Sequence, residues 1–201
     1  MQSAVKFQMK SLHEPAKKSL KAVSITTKKC IGARPINPAP YSANPQQVLS
    51  SIKDALIAGG VHDGMTFGFH HHFREGDYIV NLVMEAVHEM GIKDITICAS
   101  SLGKAHDPIV PYIEDGTITG IESSGVRGKI GEAISTGKLK KLAIMRSHGG
   151  RVRAIETGET HVDIAFIGAP SCDEYGNCSG MGGKTNCGVL SYAYVDAEMA
   201  D

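Results

Sequence analysis

The chain has 201 residues, 42 % of them apolar, with 21 Lys plus Arg set against 21 Asp plus Glu. That length supports one substantial core, and no stretch approaches the roughly 20 apolar residues of a membrane helix. The charge balance supplies no global field for nucleic acid or an anionic membrane. Cysteines number five, an odd count, and Met1 to Lys10 contains no apolar run of the secretory kind. Reduced thiols in a cytoplasmic protein are expected, not a disulfide framework.

Residues 1–45 hold Pro15, Pro35, Pro38, Pro40 and Pro45 among Lys, Ser and Thr, with little apolar periodicity. This predicts an extended N-terminal arm, wrapped over the domain or a partner subunit or left without structure. An α/β domain is predicted from residue 46 to 201, continuing beyond that residue. Gln46 to Ala58 places Val48, Ile52, Ala55 and Leu56 on one helical face, and Gly59-Gly60 ends the helix. Met65 to Phe69 is a short buried strand. Asp77 opens a second helix with the apolar stripe Ile79, Leu82, Val83, Ala86, Val87 and Met90, stopped by Gly91.

The alternation continues through a strand at Asp94 to Ala99, a short helix at Asp107 to Glu114 and a strand at Thr117 to Ile121. A helix over Lys129 to Ser135, a strand at Leu142 to Met145, a helical turn near Val152 to Glu156 and a strand at Val162 to Ile167 follow. Alternation at this spacing predicts an open, mostly parallel sheet with helices on both faces.

In such a sheet, ligands bind where strands end. The strand-end segments carry Gly68 to Asp77, Ser100 to His106, Ser123 to Lys129, Arg146 to Arg151, and Gly168 to Asn177. All are rich in Gly, Ser, His or basic residues, whereas the strands are apolar. Ser124, Gly125, Arg127 and Lys129, and then His148, Gly149, Gly150 and Arg151, form the strongest pair. Glycines before a helix bring backbone N–H groups and the helix dipole to an anion, and Arg127 or Arg151 could fork onto a carboxylate or phosphate. Basic side chains at solvated turns are the competing reading for either loop alone. Gly68, Ser100, Asp173 and Asn177 complete the candidate binding set, although turn chemistry alone would explain Asp173 and Asn177.

His70-His71-His72 invites a metal. In an extended segment, however, alternate residues face opposite ways, and no HExxH or paired-carboxylate pattern completes a ligand set. His71 and His72 are instead candidate catalytic donors to a substrate carbonyl or carboxylate, against buried or exposed structural histidines. Cys172, Cys178 and Cys187 match no zinc spacing and read as structural thiols. Glu122, at a strand end, is the best-placed acidic candidate, with a salt bridge to Arg127 or Lys129 as the competing role.

The segments GMTFGFHHHFREGD (64–77), SSGVRGKIGEAIS (123–135), SHGGRVRAIETGE (147–159) and VDIAFIGAPSCDEYGNCSG (162–180) resemble the α subunit of citrate lyase. The resemblance runs from about Gln46 to residue 201. The last segment is also similar to the wider CoA-transferase family, through Asp163, Ala165, Ile167, Asp173, Gly176 and Asn177.

The resemblance implies a CoA-transferase-like fold, of which this chain holds the first of two halves. It implies an enzyme that exchanges the acetyl group of an acyl-carrier thioester for citrate, releasing acetate, within a lyase complex. The implied partners are citrate, acetate, the acyl-carrier subunit and the lyase subunit, in an oligomer that binds neither nucleic acid nor membrane. No tightly bound cofactor is implied; the carrier presents a CoA-like phosphopantetheine-type prosthetic group. In that family a substrate carboxylate attacks the thioester directly, so Glu122 is not cast as a covalent nucleophile. The GFHHHFREGD loop stands where other CoA-transferases have a GGFG-type loop, which argues against binding of free CoA. Alternatives are another CoA-transferase, a sugar-phosphate isomerase of similar fold, or a carrier-binding domain without turnover.

Overall fold

A computed structural model describes residues 3–7, 23–27, 48–49, 51–70, 77–172, 178–183 and 186–201. Five parallel strands form the centre: β4 (Thr66–His70), β5 (Ile95–Ala99), β6 (Ile118–Ser123), β7 (Ile144–Met145) and β8 (Ile164–Gly168). Their spatial order is β8-β4-β5-β6-β7, each pair parallel. Connections between sequential strands carry the helices, as parallel pairing requires.

The sheet extends further than the sequence predicts. Strands β1 (Ser3–Phe7) and β2 (Val23–Thr27) lie inside the stretch read as an arm, and β2 pairs antiparallel with β8. β1 pairs antiparallel with β2 and parallel with β3 (Val48–Leu49), giving this sheet eight strands among the described residues. The prolines that suggested an arm fall outside both strands, and the β-branched run Val23, Ile25, Thr26, Thr27 suits a ladder.

Residues 48–49 are therefore strand, not the start of a helix. The helix α1 (Ile52–Ala58) begins three residues later, because the Ser51 hydroxyl accepts the Asp54 amide at 3.0 Å and caps it.

The two sheet faces differ in chemistry. Alternate residues Phe67, Phe69, Ile95, Ile97, Ile121, Ile164 and Phe166 point to one face and are buried under α1, α2 (Ile79–Glu89), α3 (Val110–Glu114) and α4 (Gly128–Ser135). Phe166 stacks on Phe69 at 4.9 Å and meets Phe67 edge-on at 5.3 Å. Each such side chain contributes about 1.5–3 kcal/mol on burial. α2 starts at Ile79, two residues after the predicted start, with the Asp77 carboxylate accepting the Ile79 amide at 3.1 Å. Pro108 and Pro111, which lack the N–H of a regular helix, flank the change from a 3₁₀ segment (Lys104–Ile109) to α3.

The opposite face is floored by small residues. Gly68, Cys98 and Ala165 allow α5 (His148–Glu156) and α6 (Ala193–Met199) to approach closely. A Cβ on Gly68 would stand 2.8 Å from Val162 Cγ1 and 3.1 Å from Asp196 Oδ1, so only glycine fits there without displacement. α6 is absent from the sequence reading, as is the short hairpin β9 (Ser171–Cys172) to β10 (Cys178–Ser179). Among the described residues, no helix is long and apolar enough to cross a membrane.

Candidate functional site

The carboxyl ends of β4, β5, β6 and β7 open onto one rim. His70 closes β4, Ser100 follows β5, Ser123 closes β6 with Ser124 after it, and Arg146-Ser147 follows β7. These loops are tied edge to edge. The Leu102 amide donates to the Gly125 carbonyl and the Arg127 amide to the Leu102 carbonyl, both at 2.9 Å; the Arg146 amide reaches the Ser123 carbonyl at 3.0 Å. The Ser123 hydroxyl folds back onto the Gly125 main chain, accepting its amide at 3.2 Å. Ser124, Gly125, Arg127, Lys129, His148, Gly149 and Gly150 thus gather on adjacent loops, with Arg127, Lys129, His148 and Gly149 exposed.

The two glycine-rich helix starts are not equivalent. At α4, Asp107 of the 3₁₀ segment accepts the Lys129 amide on Oδ1 at 2.8 Å. The protein's own carboxylate fills the position where sequence reasoning places a ligand anion. At α5, the Ser147 hydroxyl accepts the Gly150 amide at 3.0 Å. Among the described residues no carboxylate caps that turn, and the amide-bearing His148 and Gly149 are exposed. Of the two starts, α5 is the one that, among the described residues, holds no carboxylate of the protein's own.

Arg151 does not face the rim freely. Its side chain is 3 % exposed and turns under α5, where it forks onto Asp196 of α6 at 2.9 and 2.5 Å. It also donates to the Cys98 carbonyl at 3.0 Å. Burial works against the charged guanidinium, but the hydrogen bonds and charge of Asp196 outweigh it and hold Arg151 above its ordinary range. Burial likewise pushes the Asp196 carboxyl up, opposed by Arg151. Since a guanidinium keeps its proton, the pair is ionic. The Cys98 thiol is pushed up to about 11, chiefly by burial, which keeps it protonated and unreactive.

Glu122 is held from a direction the sequence did not suggest. Its Oε2 accepts the Thr160 hydroxyl at 2.7 Å and lies 3.6 Å from Arg146 Nε, not beside Arg127 or Lys129. Arg146 in turn donates to Glu159 at 2.9 Å. Gly68 lies mid-strand in β4, with ladder neighbours Cys98 and Ala165 on either side, so it serves close packing beneath the rim. Ser100 is buried at the end of β5. His71, His72, Asp173 and Asn177 lie outside the described residues.

The sequence reading missed three residues. Asp107 reads as a helix-start residue, yet it caps the next helix. Asp196 sits four residues after Tyr192 and four before the buried Ala200. An acid inside such a helical stripe signals a buried basic partner, although only the fold shows which one. Tyr192 places its ring 6.2 Å from that of His70 and 5.3 Å from that of His148. One cluster with metal-ligand spacing, His161, Asp163 and Asp201, lies at the amino end of β8, on the opposite rim. It is joined internally, His161 meeting Asp201 at 2.8 Å.

The open, mostly parallel sheet, with loops from neighbouring strands gathered on its carboxyl rim, defines an α/β domain of the kind that binds ligands at its strand ends. Residues 45–201 match the family described as citrate lyase, alpha subunit. The curated citrate lyase alpha chain of Haemophilus influenzae is 48 % identical over 160 residues, covering 80 % of this chain and 32 % of that protein. That of Escherichia coli K12 is 46 % identical over 158 residues, covering 79 % and 31 %. A crystal structure from Streptococcus mutans, described as the alpha subunit of citrate lyase in complex with citrate, superposes with a TM-score of 0.75 at 48 % identity, covering 87 % of this chain and 35 % of that one. The chain belongs to the citrate lyase α subunit family. It spans about a third of the length of the curated relatives it matches.

Proposed function

We propose that this chain forms the front part of the transferase component of a citrate lyase, exchanging the acetyl group of a carrier-bound thioester for citrate. The observation that carries this reading is the match of residues 45–201 to the family, which spans all the strand-end loops. The citrate carried by the Streptococcus mutans relative supports a tricarboxylate as ligand.

On this reading one citrate carboxylate meets the start of α5 at His148 and Gly149, where Ser147 caps only the Gly150 amide, and Arg127 forks onto a second. Lys129 and the Ser124-Gly125 turn line the same rim. Asp107 occupies the start of α4, so that terminus contributes the Arg127 and Lys129 side chains and not an empty amide nest. Arg151 acts beneath the rim and not on the ligand. His71 and His72 are proposed donors to the thioester oxygen, a contribution of about 3 kcal/mol when such a donor is well placed. Asp173 and Asn177 remain proposed rim residues.

The chemistry needs no protein nucleophile. A citrate carboxylate oxygen attacks the thioester carbonyl carbon, the C–S bond breaks, and the carrier thiolate leaves an acetyl–citryl anhydride. The thiolate then attacks the citryl carbonyl, the C–O bond breaks, and acetate departs. Glu122, held by Thr160 and near Arg146, orients the root of the α5 loop in this scheme. The thioester is that of a phosphopantetheine-type group on the acyl carrier, and a lyase subunit takes the citryl carrier. The proposed setting is an oligomeric complex in the cytoplasm.

The test is exchange itself. The full-length protein, mixed with acetyl-loaded carrier and citrate, should release acetate and convert the carrier to its citryl form, read by intact mass. Acetate release without citryl-carrier would mean hydrolysis and would contradict transfer.

A further inference from the structure

We propose that Asp196 is a positioning residue for the proposed site: it locks the start of α5 and the end of β4 into one fixed geometry, acting through Arg151 and His70. This inference deepens the transferase reading and rests on it.

The carboxylate lies fully buried where three elements meet. It receives both terminal nitrogens of Arg151, three residues beyond His148 on α5. Arg151 also binds the Cys98 carbonyl near the end of β5. Oδ2 of the same carboxylate, which accepts from one of those nitrogens, also lies 3.6 Å from Nδ1 of the buried His70, the last residue of β4. Gly68 provides the space, since a Cβ there would press on Asp196. About one turn earlier, at the cap of α6, the Tyr192 ring contacts both His70 and His148.

Stability does not account for this arrangement. Removing two charges from water is costly, and apolar replacements of a whole buried pair are often neutral or stabilising. What a forked guanidinium–carboxylate pair adds is direction: two parallel hydrogen bonds fix the angle of Arg151, hence the rotation and depth of α5. The exposed His148-Gly149 turn sits on the same helix, within its first turn. A displacement there of about 1 Å is enough to lower a rate by orders of magnitude.

The test replaces the whole pair with apolar residues, Arg151→Met together with Asp196→Leu, in the full-length protein. Arg151→Lys, which keeps the charge and loses the fork, is a second variant should the first fail to fold. The expected double variant unfolds at a urea midpoint equal to or above that of the parent. Its citrate KM should rise about tenfold or more with the carrier KM unchanged, and amide exchange at residues 148–150 should quicken. Arg151→Lys should show the same pattern, weaker.

A folded variant with parental citrate KM and parental exchange at 148–150 overturns the proposal. If the parent protein transfers nothing, the transferase reading fails, and amide exchange at 148–150 still decides whether Asp196 positions α5.

Discussion

Gly128 and Asp107 are fitted to each other. Gly128 opens α4 with φ of +68°, and any Cβ there would collide with the Asp107 carboxylate that accepts the next amide, that of Lys129. Left-handed backbone and close approach both demand glycine at this position. Gly128→Ala should therefore destabilise by about 1–2 kcal/mol from backbone strain alone, plus the displacement of Asp107. Asp107→Ala should cost about 1 kcal/mol as a lost cap. In urea titrations the double variant should lose less than the sum of the two, because the collision is gone; strict additivity would argue against the contact.

Arg151→Ala is expected to be a folding variant. It strands the Asp196 carboxylate in the interior, at a cost of about 3–5 kcal/mol. Arg127→Ala removes an exposed side chain and should change stability by less than about 0.5 kcal/mol. Denaturation of the two variants side by side separates the buried role from the surface one. Equal, near-parental stability would contradict the Arg151–Asp196 geometry.

Gly68→Ala tests the floor under α6. The added methyl meets Val162 and Asp196, and overpacking of this kind costs about 1–3 kcal/mol. Thermal unfolding should show a lowered midpoint. Pairing it with Val162→Ala, which clears the nearest atoms, should recover part of the loss.

Acid stability carries a signature at Asp94. The Thr119 hydroxyl and then Lys141 hold its carboxyl below the ordinary carboxylate value. A carboxylate with a lowered folded pKa stabilises fully above its unfolded pKa, and that stability is lost as pH falls through the folded value. The window lies below about pH 4. Asp94→Asn keeps a side chain that tolerates the local φ of +64°. It should flatten the acid limb of stability in that window and leave the slope at neutral pH unchanged. A parental acid limb would contradict the Thr119–Asp94 bond.

Period and punctuation were enough to read the central strands to within two residues and the ends of α1 to α5 to within about one, while helix starts were misplaced by as many as six residues and α6 was not read at all. Apolar runs such as Ile95 to Ala99 must be buried on both faces, and Gly91 and Gly59-Gly60 stop helices by their backbone freedom. The strands β1 and β2 were not legible, because pairing partners are set by the sheet and not by local pattern. At the site, the convergence of loops was visible, since it follows from topology. The division of labour between the two glycine-rich loops was not. Asp107 and Arg127 look like two surface charges in the sequence, and Arg151 looks as available as Arg127. Only the three-dimensional neighbours, Lys129 for Asp107 and Asp196 for Arg151, show which terminus is already filled and which arginine is buried.

Citrate is proposed to meet the start of α5 and not that of α4. Backbone amide shifts and hydrogen exchange, followed while citrate is titrated into the full-length protein, test this directly. The predicted result is a saturable shift and slowed exchange at His148 and Gly149, with the Lys129 amide unmoved because Asp107 already holds it. Changes centred on Gly128 and Lys129 with residues 148–150 unaffected, or no saturable change at either helix start, would contradict it.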